Sequence, residues 1–203
     1  MAVRATGQMD SRAVGFVGLQ VGHEWSFGPG SGVLPALELE GFYLAGGTRR
    51  AKLNNPTDRL PENRFDDSFP MKNAVFLANV VLSFPTSYRG ITPYVGAGIG
   101  AARMSIDSAD STTVSPAEPG INHFNSGADS SAWGFAAQAK AGVRVGLGGN
   151  AYAFGEYRYL FVDTTDQIFG STVYSTHVPT SDWRVRFGNM SHHLAAGGIG
   201  LSF

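Results

Sequence analysis

The chain has 203 residues, of which 43% are hydrophobic and 15% charged, with 27 glycines, no cysteine and a formal net charge of −1. The length suits one domain over 1–203, and the charged fraction falls below the ~25% usual in soluble domains. The near-neutral charge offers no basic stripe for nucleic acid, the missing cysteine excludes disulfides, thiolate metal sites and a cysteine nucleophile, and no run reaches the ~18 apolar residues of a membrane helix.

Residues 1–10 read as a loop or, over Ala2–Gln8, a short first strand. They carry no apolar signal-peptide core, which an exported protein needs, so the sequence is expected to be a processed or truncated form. From there the chain alternates with period two, the signature of strands. Ala13–Trp25 puts Val17, Leu19, Val21 and Trp25 on one face and Gln20 and Glu24 on the other. Val33–Ala45 puts Leu37, Leu39 and Tyr43 opposite Glu38 and Glu40. Asn73–Phe84 sets Phe76, Ala78, Val80, Leu82 and Phe84 against Asn79 and Ser83. In Ile91–Met104, Val95, Ala97, Ile99 and Ala101 alternate with Gly96, Gly98 and Gly100, which read as small inward positions or points of tight bending. Ala132–Leu147 is the clearest case: Trp133, Phe135, Val143 and Val145 line an apolar face, and Gln138, Lys140 and Arg144 the other. A Gly148-Gly149-Asn150 turn, able to supply positive φ angles, leads to Ala151–Asp163, where Tyr157, Tyr159 and Phe161 oppose Glu156 and Arg158. The last strand is His193–Phe203.

These strands exceed the ~5–6 residues usual in globular proteins and meet the ~9–11 that a tilted membrane strand needs. The connections alternate: Ser26–Gly32, Pro85–Gly90 and Gly148–Asn150 are short, whereas Gly46–Lys72, Asp107–Ser131 and Thr164–Met190 are long and polar. Three structureless loops of that size are uncommon in a soluble domain, whereas a membrane barrel has short turns on one rim and long loops on the other. The pattern therefore predicts an all-β fold: a transmembrane antiparallel up-and-down β-barrel of eight strands, seven of them evident, since bacterial single-chain barrels have even counts. Tyr43, Trp133, Tyr157 and Tyr159 are candidates for its aromatic girdles.

The inward charges are Glu24, Glu38, Glu40, Lys140, Arg144, Glu156 and Arg158. Charges at membrane depth are costly unless paired, so a paired network filling a narrow lumen is preferred to a proton or ion path. Ser191, His192 and His193 are adjacent, but neighbours on a strand point to opposite faces, and no Ser–His–acid set shares one face. No catalytic, cofactor-binding or metal residues are assigned. Asp66, Asp67, Asp107, Asp110, Asp129, Asp163 and Asp166 match no calcium-loop spacing and read as solvated. Trp183, Val185 and Phe187 continue the odd parity of the last strand, which suggests a strand rising past the bilayer, with a partner hairpin around Thr172–His177 and exposed aromatics forming a binding patch.

Three segments carry a resemblance. TPYVGAGIGAARM (Thr92–Met104), WGFAAQAKAGVRVGLGGNAYAFGEYRYLFVD (Trp133–Asp163) and SHHLAAGGIGLSF (Ser191–Phe203) resemble the fifth, the sixth and seventh, and the eighth strands of the small outer-membrane β-barrel family typified by outer-membrane protein A. The resemblance implies an outer-membrane location in Gram-negative bacteria. It also implies that Ile199, Leu201 and Phe203 form a terminal signal read by the outer-membrane assembly machinery. In the family's register the first evident strand matches strand two. The missing strand then lies upstream of the sequence, is made by Ala2–Gln8, or comes from another chain by edge addition. The expected function is non-enzymatic: a structural or interaction role through the long loops, with outer-membrane lipid and other envelope proteins as partners and no cofactor. The alternatives are a small-solute pore or transporter, a barrel lipid-modifying enzyme, and a soluble ligand-binding barrel.

Overall fold

The computed structural model describes residues 6–9, 11, 13–28, 32–54, 64–88, 90–117, 121–125, 127–172 and 181–202. Its elements are all strands: β1 Thr6–Met9, β2 Phe16–Glu24, β3 Leu34–Asn54, β4 Arg64–Ser83, β5 Ile91–Ser115, β6 Ala128–Gly148, β7 Ala151–Val162, β8 Thr165–Ile168, β9 Arg184–Phe187 and β10 Met190–Leu201. Seven strands lie side by side in the order β2-β3-β4-β5-β6-β7-β10, each antiparallel to its neighbour. β1 lies on the same edge of β3 as β2, further along, and β8 and β9 form a separate antiparallel pair. The sheet curls into a half-barrel: Arg158 of β7 pairs with Glu40 of β3 across a width that holds three intervening strands.

The alternation read from the sequence maps onto the two faces. Leu19, Leu39, Phe76, Ile99, Trp133 and Ile199 are exposed on the convex face, while the residues between them turn to the concave face and, on the inner strands β3 to β7, are mostly buried or half-buried. The glycines of β5 let strands pack where a side chain cannot. A Cβ at Gly100 would overlap the carbonyl oxygen of Phe76, and one at Gly98 would overlap the Asn79 side chain.

The expected long loops are largely ladder instead. β3 and β4 pair up to Asn54↔Arg64, and β5 and β6 pair beyond Met104, so the segments Gly46–Lys72 and Asp107–Ser131 are mostly strand. A pair of β-bulges breaks the alternation at that level, so the extensions do not read as strands in the sequence. Residues 45–46 of β3 oppose the single residue 72, and residues 107–108 of β5 oppose the single residue 129. Each bulge adds one residue and flips the parity. The inward residues of β3 change from even (Phe42, Leu44) to odd (Ala51), and those of β5 from Met104 and Ile106 to Ala109 and Ser111. Ser108 sits in the β5 bulge at φ 56°. Its N–H donates to the carboxylate of Asp129, the residue opposite, at 2.7 Å.

Of the expected Ala2–Gln8, Thr6–Gln8 do lie in a strand, but this strand, Thr6–Met9, pairs with Ala51–Asn54 in line with β2. It lengthens the edge that β2 makes and does not stand as a separate spanning strand. Ala2 to Ala5 lie outside the described residues. The partner of β9 is Thr165–Ile168 rather than Thr172–His177, of which only Thr172 is among the described residues.

Candidate functional site

The concave face carries three layers. Nearest the short turns is a polar network. Arg144 bonds Glu24 and Glu38, both at 3.1 Å, and the Lys140 ammonium donates to Glu38 at 2.5 Å. Glu40 takes Arg158, the amide of Gln138 at 2.7 Å and that of Asn79 at 3.1 Å. Arg158 also bonds Glu156, which accepts from the Tyr94 hydroxyl at 2.8 Å. The seven charges singled out in the sequence, drawn from four strands, therefore fall into two bonded sets: Glu24, Glu38, Lys140 and Arg144 in one, and Glu40, Glu156 and Arg158 in the other. Burial at this depth is tolerated because each carboxylate meets a cation or a donor. Arg144 lies 4.8 Å from the ring centre of Tyr94, and Arg158 lies 5.5 Å from that of Phe42, so aromatic faces add to their neutralisation. Tyr94, Asn79 and Gln138 complete the second set. Parity placed Asn79 and Gln138 inward, but only the curl brings them onto Glu40.

Above lies an apolar layer of Phe42, Leu44, Val75, Leu77, Leu160 and Val162. Above that, between the strand extensions, Phe69, Phe124, Phe169 and Phe187 pack with Met71, Met104 and Ile106. The Phe124 and Phe169 rings stack at 4.9 Å, and Phe69 meets Phe187 edge-on at 5.2 Å. Phe169, Trp183, Val185 and Phe187 come from the β8–β9 region, which folds over the end of the curled sheet.

This cap corrects two expectations. Trp183, Val185 and Phe187 are not an exposed aromatic patch: Gly188 and Asn189 break the strand between β9 and β10 and reset the parity, so Phe187 is buried and Trp183 lies flat on His123 at 4.2 Å. Asp67 is not solvated either. It is buried and bonds Nδ1 of His123 at 2.9 Å, and the His123 ring is held between Phe65 and Trp183. Among the other loop aspartates, Asp107 meets Lys72 at 2.8 Å, and Asp166 meets Arg186 at 2.8 Å on the surface. Arg186 beside Asp166 holds that carboxyl below the usual aspartate value. Among the described residues no group of three His, Asp or Glu side chains is placed to hold a metal ion.

Ser191 and His193 share the convex face. Ser191 bonds the Tyr159 hydroxyl at 2.9 Å, and His193 bonds that of Tyr157 at 2.5 Å, while His192 points inward. Tyr157 and Tyr159 of the expected girdles are thus tied to β10. Tyr43 and Trp133 fall in one row through Ala74 and Arg103, and Tyr157 and Tyr159 lie nearer the short turns, opposite Ala141 and Ala139. Ile199 and Leu201 are exposed on the convex face of β10, and Phe203 lies outside the described residues.

The remaining feature is the gap between β2 and β10. Among the described residues β2 pairs only with β3 and β10 only with β7, and between their free edges opens a cleft of about 440 Å³ whose lining includes Arg158 and Glu40. Fold and site together define an all-β antiparallel half-barrel with an apolar convex face and a polar network at one end of its concave face. No known protein family, curated protein or solved structure matches the chain.

Proposed function

We propose that this chain is a β-barrel of a bacterial outer membrane, completed to eight strands, with a structural or interaction role exercised at its capped loop rim and no catalytic function. The observation that carries the reading is the reversal of polarity across one sheet. Leu19 is 86% exposed and Ile99 63% exposed on the convex face, while Lys140, Glu38 and Arg158 are buried on the concave one. A water-soluble barrel gains nothing from that arrangement, since contiguous apolar surface of this extent is rare on soluble monomers. In lipid, apolar side chains face outward and the interior is polar. No helix among the described residues is long and apolar enough to cross a membrane, and a barrel crosses with strands.

The interior argues against the pore reading. The polar network, the apolar layer and the aromatic cap succeed one another along the axis, so a solute path meets packed side chains at each level, as in other narrow barrels. The partners are then outer-membrane lipid along the convex face, the assembly machinery during insertion, and other envelope proteins at the cap.

The test is envelope fractionation of cells that produce the protein, followed by gel mobility before and after boiling. Recovery with the outer membrane, a heat-dependent mobility shift and the absence of unitary conductance steps in planar bilayers are expected. A monodisperse protein in detergent-free buffer overturns the membrane reading, and steady conductance steps overturn the filled interior.

A further inference from the structure

On the convex face the apolar belt gives way to a small polar patch just below the bulges. Outward residues pair across β4, β5 and β6 as Phe76–Ala101–Phe135, then as Ala74–Arg103–Trp133, then as Lys72–Ser105–Ser131 one row nearer the loop rim. Tyr43 of β3 pairs with Ala74 and so stands diagonal to Lys72. Lys72, Arg103, Tyr43 and Trp133 are exposed, and Phe76 and Phe135 continue the apolar surface directly beneath them.

Strand geometry sets the height of this patch. Ile99 lies midway between the turn end of β5 at Ile91 and the bulge at residues 107–108. Ser105 is six residues beyond it (105 − 99), which at ~3.3 Å per residue and a tilt of ~40° raises it by about 15 Å. Half of a hydrocarbon core ~30 Å thick is also about 15 Å. The Lys72–Ser105–Ser131 row therefore falls where lipid headgroups begin, and Tyr43 and Trp133 fall just beneath, at the level of an aromatic girdle.

The protein neutralises the two cations of the patch incompletely. Among the described residues the Arg103 guanidinium meets no carboxylate, and it donates to the Ser131 hydroxyl at 3.4 Å. Lys72 bonds Asp107 at 2.8 Å, but the two side chains are 48% and 51% exposed, so the pair is weak and the ammonium keeps donors to spare. Asp129 is already engaged by the Ser108 N–H. The β3 bulge leaves space for the lysine stem, since a Cβ at Gly46 would meet the Met71 carbonyl oxygen and Cγ of Lys72. A cation at the edge of hydrocarbon is costly unless an anion joins it.

We infer that Lys72 and Arg103, with the hydroxyls of Ser105 and Ser131, seat the phosphate of one anionic lipid of the loop-side leaflet, whose acyl chains lie over Phe76, Trp133 and Phe135. The inference rests on the membrane reading and adds to it a lipid class and a place. The guanidinium fork suits two phosphate oxygens, and the ammonium meets another as a point charge. A zwitterionic headgroup carries the same phosphate with a tethered cation, which Lys72 and Arg103 repel, so a net negative headgroup is selected.

The experiment folds the full chain into vesicles of equal parts phosphatidylglycerol and phosphatidylcholine, releases it in detergent, and identifies the retained lipid by native mass spectrometry. Enrichment of phosphatidylglycerol is expected. It falls roughly fivefold for each of Lys72→Gln and Arg103→Gln, which is the ~1 kcal/mol of a basic residue at an anionic surface written as a ratio. Arg50→Gln combined with Lys52→Gln removes the same total charge from the same face further up β3, and is expected to leave the enrichment unchanged. Retention without preference for phosphatidylglycerol, or an equal loss in the Arg50→Gln, Lys52→Gln variant, overturns the inference. Release of the lipid by added inorganic phosphate also overturns it and assigns the site to free phosphate. A chain that enters the vesicles but shows no preference refutes this site alone. A chain that stays in buffer and does not enter them refutes the membrane reading, and the site with it.

Discussion

An arginine placed at Ile99 separates a convex face in lipid from one in water. Ile99 lies on β5 midway between Ile91 at the turn end and the bulge at residues 107–108, paired with Ala78 on one side and Ala137 on the other. Its side chain is 63% exposed, so Ile99→Arg creates no clash and leaves no cavity. In a bilayer a lipid-facing arginine at the midplane costs ~2–4 kcal/mol, and the cost falls to ~0–1 kcal/mol near the interface. At ~1.36 kcal/mol per tenfold, that is a loss of about 30- to 900-fold in the folding equilibrium. The internal control is Val114→Arg, on the same strand and also exposed, but past the bulge and fifteen residues away (114 − 99). At ~3.3 Å per residue it sits well outside a hydrocarbon core ~30 Å thick. The assay is reversible urea unfolding from lipid vesicles, read by tryptophan fluorescence. A large loss at Ile99 with little change at Val114 is expected. Equal effects within about 0.5 kcal/mol, the usual range for surface substitutions in water, refute the depth argument and with it the lipid-facing convex surface.

Three further outcomes follow from the interior and the cap. Lys140→Met leaves Glu38 buried with Arg144 as its remaining cation; breaking a buried pair costs ~3–5 kcal/mol, and the retained Arg144 bond puts this case at the low end. With m of ~1–3 kcal/mol/M the urea midpoint is expected to fall by roughly 1–3 M, and an unchanged midpoint refutes the role of the pair. Phe124→Ala removes a fully buried ring from between Phe69 and Phe169, at a cost of ~3–5 kcal/mol, and is expected to make the β8–β9 region cleavable at lower protease concentration while the heat-dependent mobility shift persists; unaltered cleavage refutes the cap. Asp166 titrates below the usual aspartate value because Arg186 bonds it, so its contribution is present above the unfolded-state value and is lost as pH falls through the lower folded one. Both groups are fully exposed and the effect on stability is small; the check is an NMR titration in which Arg186→Gln moves the Asp166 midpoint up.

The strands and their faces were legible wherever one face is uniformly apolar. Trp133 to Leu147 alternates without a break, and the structure keeps that alternation from Trp133 to Val145, with Gln138, Lys140 and Arg144 inward. The charged members of the polar network were legible for the same reason, since an inward charge on a long strand has only the concave face to occupy, whereas Tyr94 was not singled out by the pattern. The wiring of the network was not legible. Glu40 and Arg158 stand 118 residues apart (158 − 40) and meet only because the sheet curls, and no local pattern encodes curvature.

The cap was illegible because the parity that made the lower strands readable stops carrying across the bulges. After Leu44 and after Ile106 one extra residue moves the apolar set to the other face, so Ala51 and Ala109 look outward if the period is simply continued. The same slip hid Phe187: counted from Ile199 and Leu201 it shares the outward parity, and the two-residue break at Gly188–Asn189 turns it inward. Polar side chains on the strand extensions reinforced the misreading, since Thr112, Arg50 and Asp66 resemble loop composition. A backbone ladder needs only pairing partners, however, and the antiparallel neighbours were already fixed by the hairpins below. The extensions therefore follow from the ladder continuing upward, and the aromatic residues inside it follow from the need to bury what the bulges turned inward. That gives the bulges a single physical role: they mark the level at which an interior of ion pairs and aliphatic side chains gives way to one closed by aromatic rings.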